Sequence, residues 1–145
     1  MSHIKKMIFL VLALLITAGC AGMERQKIEV DKLNDLGVYE AFKEITKLKK
    51  VSVVKDILHN ADWEKIKVDM AREADYQFVF QFVDPDIHAK AITYSVWIGP
   101  DKDTLEVVKG DDQSVHFNKE DSSRLFEAIT ETNLTNIEHN MAKSH

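Results

Sequence analysis

The chain has 145 residues but only one cysteine, Cys20, and it lacks the short motifs of the common enzyme families. A single cysteine cannot form a disulfide within the chain, so the fold must depend on its hydrophobic core. The sequence contains no Gly-x-Ser-x-Gly elbow, no His-Glu-x-x-His helix, no phosphate loop and no dinucleotide fingerprint. We therefore predict no catalytic residue and no cofactor from a motif.

Long apolar runs are also lacking. The apolar and small residues 7–19 form a stretch of 13, whereas a membrane-spanning helix needs about 20. This stretch follows Lys5-Lys6 and ends at Gly19-Cys20, which is the pattern of a bacterial lipoprotein signal. It predicts cleavage between Gly19 and Cys20 and attachment of lipid to the Cys20 thiol. The protein would then be held on the outer face of the cytoplasmic membrane.

An ordinary secretory signal is the alternative interpretation of these residues. It would leave an unpaired thiol near the mature terminus of an exported protein, where a free cysteine is a liability. Thr17 stands three residues before the cysteine, where leucine is the commonest residue. Lipidation accounts for the thiol, so we expect residues 1–19 to be a signal peptide and residues 20–27 a lipidated tether.

Basic residues are too few for a nucleic-acid-binding protein. The whole chain has 19 basic and 24 acidic side chains. Removal of the signal peptide would remove two lysines and no acidic residue, so the mature chain would have a net charge of −7 with histidine neutral. This charge balance argues against binding of nucleic acid. The sequence also has no basic cluster beside Cys20 that could hold the protein on an anionic leaflet. The lipid is therefore the expected attachment to the membrane.

The clearest structural pattern lies in residues 76–83, where aromatic side chains alternate with glutamine and valine. Residues 92–98 alternate in the same way, and residues 84–86 between them read as a turn. Tyr94, Val96 and Ile98 should face the helices while Trp97 faces the other side of the sheet. Two further strands are expected at residues 104–108 and 114–117, each preceded by a turn.

Two helices complete the predicted fold. Thr46 is expected to cap the first, whose apolar residues recur at helical spacing from Leu48 to Ala61, and Asn118 to cap the second. Residues 28–45 are read as a strand pair, although 39–45 fit a strand or a helix. The expected architecture is α+β, an antiparallel β-meander of about four to five strands with two helices packed on one face. It would occupy residues 28–131, with a frayed tail at 132–145.

The order of these elements resembles a known family. A lipoprotein signal precedes the runs Phe42-Lys43-Glu44-Ile45-Thr46, Asn60-Ala61-Asp62-Trp63, Asp75-Tyr76-Gln77-Phe78, Tyr94-Ser95-Val96-Trp97-Ile98-Gly99 and Lys119-Glu120-Asp121-Ser122. This arrangement, over residues 28–131, is similar to that of the small YhfM-like lipoproteins of Gram-positive bacteria. The resemblance implies an extracytoplasmic α+β domain with no established biochemical activity.

The remaining candidates for chemistry have simpler interpretations. His59, His88 and His116 lack the spacing of metal ligands and are read as surface residues, so no metal site is predicted. The aromatic face formed by Tyr76, Phe78, Phe80 and Phe82 is read as core, with a binding groove as the alternative. Three acidic turns could suggest a Ca²⁺ site, since that ion prefers oxygen ligands. We interpret their aspartates as ordinary turn residues, because aspartate is common in turns. These residues are Asp84, Asp86, Asp101, Asp103, Asp111 and Asp112.

Two classes of function remain open from the sequence. The preferred one is a non-enzymatic binding or structural module of the cell envelope, with an envelope protein or a cell-wall component as its ligand. The alternative is an envelope hydrolase whose site is assembled from scattered Asp, Glu, His and Ser residues. A pocket that joins two ionisable groups with strongly shifted pKa values would favour the hydrolase.

Overall fold

The computed structural model describes residues 25–66 and 69–137, and it confirms an α+β fold. This part of the chain has six strands rather than the four to five expected, together with two helices and one short 3₁₀ turn. In chain order the elements are β1 (Gln26–Leu33), β2 (Tyr39–Ile45), α1 (Leu48–His59), β3 (Tyr76–Phe82), β4 (Tyr94–Ile98), β5 (Leu105–Lys109), β6 (Gln113–His116), α2 (Lys119–Thr130) and the 3₁₀ turn Leu134–Asn136. Residues 39–45, left open between strand and helix, are a strand.

The sheet is antiparallel throughout but is not a simple meander. Its strand order is β2-β1-β3-β4-β5-β6, so β1 lies between its hairpin partner β2 and the distant strand β3. Ile28 faces Ile45 of β2 on one side and Phe80 of β3 on the other. The expected meander is therefore correct only from β3 to β6, because β1 uses both of its edges for pairing.

Both edges of the sheet have features that hinder pairing with other chains. After α1 the chain reaches β6, where Glu64 and Ser114 exchange two backbone hydrogen bonds of 2.9 Å. At the opposite edge, the pairing of β2 with β1 is interrupted by an irregularity between Val30 and Asp31. Bulges and added pairing of this kind blunt the tendency of edge strands to recruit other chains.

The core lies between the sheet and the two helices. Phe78, Val96 and Val107 are buried on neighbouring strands, and Val54 of α1 and Phe126 of α2 pack in the same cluster. Within the described residues, no helix has both the length and the apolar character needed to cross a bilayer.

The aromatic residues of β3 belong to this core, but unequally. Tyr76 and Phe78 are buried, whereas Phe80 and Phe82 are only partly covered. The Phe78 ring stacks on Tyr94 with centroids 5.0 Å apart, and the Phe80 ring meets Tyr94 edge-on at 5.9 Å. The core interpretation therefore holds fully for Tyr76 and Phe78, while Phe80 packs against the core from its margin beneath Lys55 of α1.

The opposite orientation of Trp97 is also confirmed. Its neighbours Val96 and Ile98 belong to the core or pack against it. The Trp97 indole N–H instead donates to the Arg72 carbonyl oxygen at 2.9 Å. The period-two alternation of a strand places these neighbours on opposite faces of the sheet.

The helix ends differ in how well the sequence predicted them. Asn118 caps α2 as expected, because its side-chain oxygen accepts the Asp121 N–H at 2.8 Å. The cap of α1 is Lys47 rather than Thr46, and it makes no side-chain cap bond. Leu48, expected to face inward, is 55% exposed because it stands at the first position of the helix, beyond the cover of the sheet.

The ordered chain extends past the predicted end of the domain at residue 131. Glu131 adopts a left-handed conformation with φ of 58° and terminates α2. The 3₁₀ turn that follows inserts Leu134 into the core, where its side chain is buried. An apolar contact just beyond a helix end explains why residues 132–137 pack against the fold instead of fraying.

Arg72 and Asp75 extend the pairing of β3 with β4 through their side chains. The Asp75 carboxylate accepts the Ile98 N–H at 2.7 Å, and its backbone N–H donates to the Val96 carbonyl at 2.9 Å. The Arg72 guanidinium holds both oxygens of this carboxylate at 2.8 and 3.0 Å and donates to the Ile98 carbonyl at 3.0 Å. These contacts close the sheet where the ladder between the two strands ends.

Removal of the Phe78 side chain should destabilise the protein strongly. Phe78 is 1% exposed, so Phe78→Ala should lower the free energy of unfolding by about 3 to 5 kcal/mol in chemical denaturation. The partly covered Phe82 is the matched control, and Phe82→Ala should cost clearly less. A loss below about 1 kcal/mol for Phe78→Ala would contradict the packing described, since cavities in a dense core are costly.

Loss of the Asp75 carboxylate should leave the Ile98 N–H without its acceptor. Asp75→Ala should therefore lower the free energy of unfolding by about 1 to 3 kcal/mol. Asp75→Asn keeps an oxygen for Ile98 and should cost less, and Arg72→Ala should cost at most about 1 kcal/mol because the ion pair is partly exposed. Equal losses for Asp75→Asn and Asp75→Ala in thermal denaturation would show that the charge, rather than this hydrogen bond, stabilises the sheet end.

Candidate functional site

The predicted lipid-attachment residue Cys20 and the predicted cleavage position at Gly19 lie outside the described residues. The other candidates from the sequence are all described, and they do not converge on one site. His59 ends α1, His88 lies in the loop after β3, and His116 ends β6. All three are exposed, as expected of surface histidines.

A polar cleft lies where the end of α1, the end of β6 and the start of α2 meet. Its volume is about 270 Å³, and it collects several carboxylates around one histidine. The lining residues that carry charge or a titratable group are Asp62, Glu64, Glu106, His116 and Asp121. The cleft forms because α1 ends and α2 begins beside the edge strand β6, so polar residues at these two helix ends surround the last residues of that strand.

His116 and Glu106 form the closest ionisable pair in the cleft. They are cross-strand neighbours on β6 and β5, and the His116 Nδ1 lies 2.9 Å from the Glu106 Oε2. The histidine side chain is 65% exposed, so the pair is open to solvent. Asp121 is engaged elsewhere, through its backbone with Asn118 and through its carboxylate with Arg124 at 3.2 Å.

The cleft offers an acid–base pair but no complete catalytic group. In a hydrolase of the Ser-His-Asp type, the histidine must contact both an orienting carboxylate and a nucleophile. Among the described residues, the hydrogen-bond partner of His116 is Glu106, and no serine or threonine hydroxyl contacts its ring. Within the described residues, the cleft therefore supplies the histidine and carboxylate of such a group but no hydroxyl in contact with the histidine.

The acidic turns behave as turn residues. The register places residues 84–86 and 110–112 at one end of the sheet and residues 101–103 at the other. The Asp84 side chain accepts the Asp86 N–H at 3.0 Å, and Asp103 pairs with Lys119 at 2.8 Å. Across residues 25–66 and 69–137, no group of three or more histidine, cysteine, aspartate or glutamate residues is placed to hold a metal ion.

A second cluster of charges lies between the two helices at the opposite end from the polar cleft. The Glu131 carboxylate pairs with Lys43 of β2 at 2.9 Å and with Lys50 of α1. Lys43 also donates to the Thr130 carbonyl at 3.2 Å, where the end of α2 leaves its last carbonyl groups without helical partners. Hydrogen bonds from Lys43 and Lys50 lower the pKa of Glu131 from 4.5 to about 2. The cluster connects β2, α1 and the end of α2. Because the Glu131 carboxylate is paired with two lysines and its pKa is lowered, it is not suited to transfer a proton.

Comparison with known proteins adds no assignment: no protein-family model, no curated protein and no solved structure matches the chain.

Sequence reasoning did not find the two charge networks. Glu131 lies 88 residues from Lys43 and 81 from Lys50, so no local spacing connects them. Arg72 and Asp75 have a spacing of three, which is common in any charged segment. The cross-strand pair Glu106 and His116 could have been predicted from an assumed hairpin register, because residues that face each other across two strands interact.

The stability of the protein should depend on the charge of Glu131 at acidic pH. Since its folded-state pKa is lower than its unfolded value, the ion pairs stabilise the fold above pH 4.5, and this contribution is lost as the pH falls from 4.5 through about 2. Denaturation over this range should show a steeper loss for the wild type than for Glu131→Gln.

The matched control is Glu127→Gln, which removes a carboxylate from the same helix but from neither lysine pair. It should retain the wild-type dependence on pH. Added salt should reduce the difference between wild type and Glu131→Gln, because the cluster is exposed and therefore screened. An identical pH dependence for these two proteins would show that the Glu131 pairs contribute nothing to stability.

Proposed function

We propose that the protein is a lipoprotein anchored to the outer face of the cytoplasmic membrane through Cys20. In this proposal the folded region is a non-enzymatic binding or structural module of the cell envelope. The observation that carries the anchoring is the signal pattern of residues 1–20, in which Lys5-Lys6 precede a short apolar stretch and small residues precede the cysteine. A diacylglyceryl group at Cys20 would supply two acyl chains, enough for stable attachment.

The resemblance to YhfM-like lipoproteins of Gram-positive bacteria supports the same proposal. It rests on the order of the elements and on the sequence runs at their boundaries, and it concerns an α+β domain without an established activity. A binding module needs a folded surface and an attachment, and it does not need a catalytic group.

The hydrolase interpretation has less support. Its best location is the polar cleft, where His116 contacts Glu106 at 2.9 Å. Within the described part of the chain, however, the histidine has no hydroxyl nucleophile as a partner. We therefore favour the non-enzymatic module.

The anchoring can be tested by metabolic labelling with a fatty acid in a Gram-positive host. The wild type should incorporate the label, be shortened by removal of residues 1–19 and sediment with membranes. Cys20→Ser should take up no label and should remain unprocessed, because the thioether that the peptidase requires is absent. Thr17→Leu is the matched control; it should remain labelled because leucine is the commonest residue at that position. An unlabelled wild type, or a label that survives Cys20→Ser, would refute the proposal.

A further inference from the structure

The polar cleft contains a serine hydroxyl without a hydrogen-bond partner. Ser114 is only 6% exposed, and it lines the cleft. No hydrogen bond joins its hydroxyl to another described residue, although every fully enclosed side-chain oxygen and nitrogen in this part of the chain has a partner. The hydroxyl is therefore not enclosed, and it opens into the cleft. Since buried polar groups are usually hydrogen-bonded, an unpartnered one in a cavity wall points to a ligand.

Ser114 shares a face of the sheet with the ionisable pair of the cleft. It lies two residues before His116 on β6, and side chains two residues apart on a strand point to the same side. Glu106 is opposite His116 on the neighbouring strand, so it belongs to this side as well. The Cβ atoms of Ser114 and His116 are then about 7 Å apart. A single group that donates several hydrogen bonds of about 2.9 Å can bridge side chains at this separation.

The backbone of β6 adds an acceptor beside the same hydroxyl. Ser114 exchanges both of its backbone hydrogen bonds with Glu64 on the outer side of the strand, and this bridge is isolated. Outward-facing backbone groups recur at every second residue of an antiparallel strand, so the next ones belong to His116. The Phe117 N–H points inward and donates to the Leu105 carbonyl at 2.9 Å, as this alternation requires. No strand of the described chain pairs with the outer side of His116, which leaves its carbonyl available to a ligand.

The charge of the cleft favours a cation. Of the described residues that line it, four are carboxylates and none is lysine or arginine; the carboxylates are Asp62, Glu64, Glu106 and Asp121. Arg124 pairs with Asp121 at 3.2 Å, whereas Lys119 pairs with Asp103 at 2.8 Å. Lys65 follows Glu64 in the chain but does not line the cleft. The other three carboxylates therefore have no lysine or arginine partner among the described residues.

The two helix ends at the cleft do not reverse this charge. The C-terminus of α1 carries a negative partial charge, and its cap residue Asn60 lines the cleft. The N-terminus of α2 has the opposite sign. Its Asp121 N–H already donates to the Asn118 side chain at 2.8 Å, however, and Glu120 and Asp121 occupy its first turn. The positive end of α2 is therefore offset within the helix itself.

An ammonium group matches these acceptors better than a metal ion or a guanidinium. Across the described residues, no three potential ligands are placed to hold a metal ion. A guanidinium prefers both oxygens of one carboxylate, but one oxygen of Glu106 lies 2.9 Å from His116. An ammonium has three donors that take single oxygens from different directions. The cleft of about 270 Å³ has room for a lysine side chain, since it equals roughly nine waters of about 30 Å³ each.

We propose that the polar cleft binds a lysine side chain of a peptide in the cell envelope. The ammonium group donates to the Ser114 hydroxyl, to the Glu106 oxygen that His116 does not contact and to the His116 carbonyl. Asp62 and Glu64 add negative charge at the rim of the cleft. This inference rests on the proposed binding role and names the chemistry of the ligand.

The proposal can be tested with a blocked tripeptide, alanine-lysine-alanine, and the lipidated full chain in detergent micelles. As the peptide is added, the backbone amide signals of Ser114 and His116 in NMR spectra should shift and then saturate. The same peptide with norleucine in place of lysine should bind at least about tenfold more weakly, because it keeps the length of the side chain but has no charge.

Variants of the chain identify the acceptors. Ser114→Ala and Glu106→Gln should each weaken binding of the lysine peptide severalfold. Ser114→Ala should leave the melting temperature unchanged, because the lost hydroxyl has no partner within the described fold. The matched control is Asp111→Asn, which removes a carboxylate from the turn between β5 and β6, outside the cleft. It should leave the affinity unchanged.

Four results would overturn the proposal. They are the absence of a saturable shift at about 10 mM lysine peptide, equal affinity for the norleucine peptide, tighter binding of the corresponding arginine peptide, and an equal loss of affinity in Asp111→Asn. Fatty-acid labelling of the same preparation tests the anchoring separately. A labelled protein that does not bind the lysine peptide remains a lipoprotein, whereas an unlabelled protein that binds it refutes the anchoring and keeps the site.

Discussion

The pairing of β1 with two partners is the constraint on which the rest of the fold depends. Ile28 and Val30 are buried in the middle of the sheet, with β2 on one side and β3 on the other. Buried backbone N–H and C=O groups must be paired, so a strand in this position requires both neighbours. The insertion of β1 joins the first hairpin to the later strands and produces one sheet on which both helices can pack.

Polar contacts then fix the helices and the ends of this sheet. The buried hydroxyl of Ser122 accepts the Leu105 N–H at 2.9 Å and donates to the Phe117 carbonyl at 3.2 Å, which ties α2 to β5 and to the end of β6. At the other end of α2, Glu131 is held by lysines of β2 and α1. Helix α2 is therefore attached at both ends by polar groups, in addition to its apolar contacts in the core.

The two edges of the sheet differ in their side chains. The β6 edge carries the polar cleft, in which His116 and Glu106 lie beside the end of α1 and the start of α2. The β2 edge carries the ion pairs of Glu131 with Lys43 and Lys50, and the hairpin between β1 and β2 leaves Leu36 87% exposed. The described surface therefore has two separate charged regions, one around a solvent-exposed histidine and one in which a carboxylate is paired with two lysines.

The sequence by itself determined the features that repeat over a few residues. The alternation in residues 76–83 and 92–98 predicted two strands and the orientation of Trp97, and Asn118 predicted the start of α2; the lipid site at Cys20 stays a prediction. Only the tertiary structure decided that β1 enters between β2 and β3, that Leu48 is exposed and Leu134 buried, and that Glu131 meets Lys43 and Lys50. Alternation and capping depend on residues that are close along the chain. Strand order and ion pairs between distant residues depend instead on which surfaces pack together, and the local spacing of residues does not predict this.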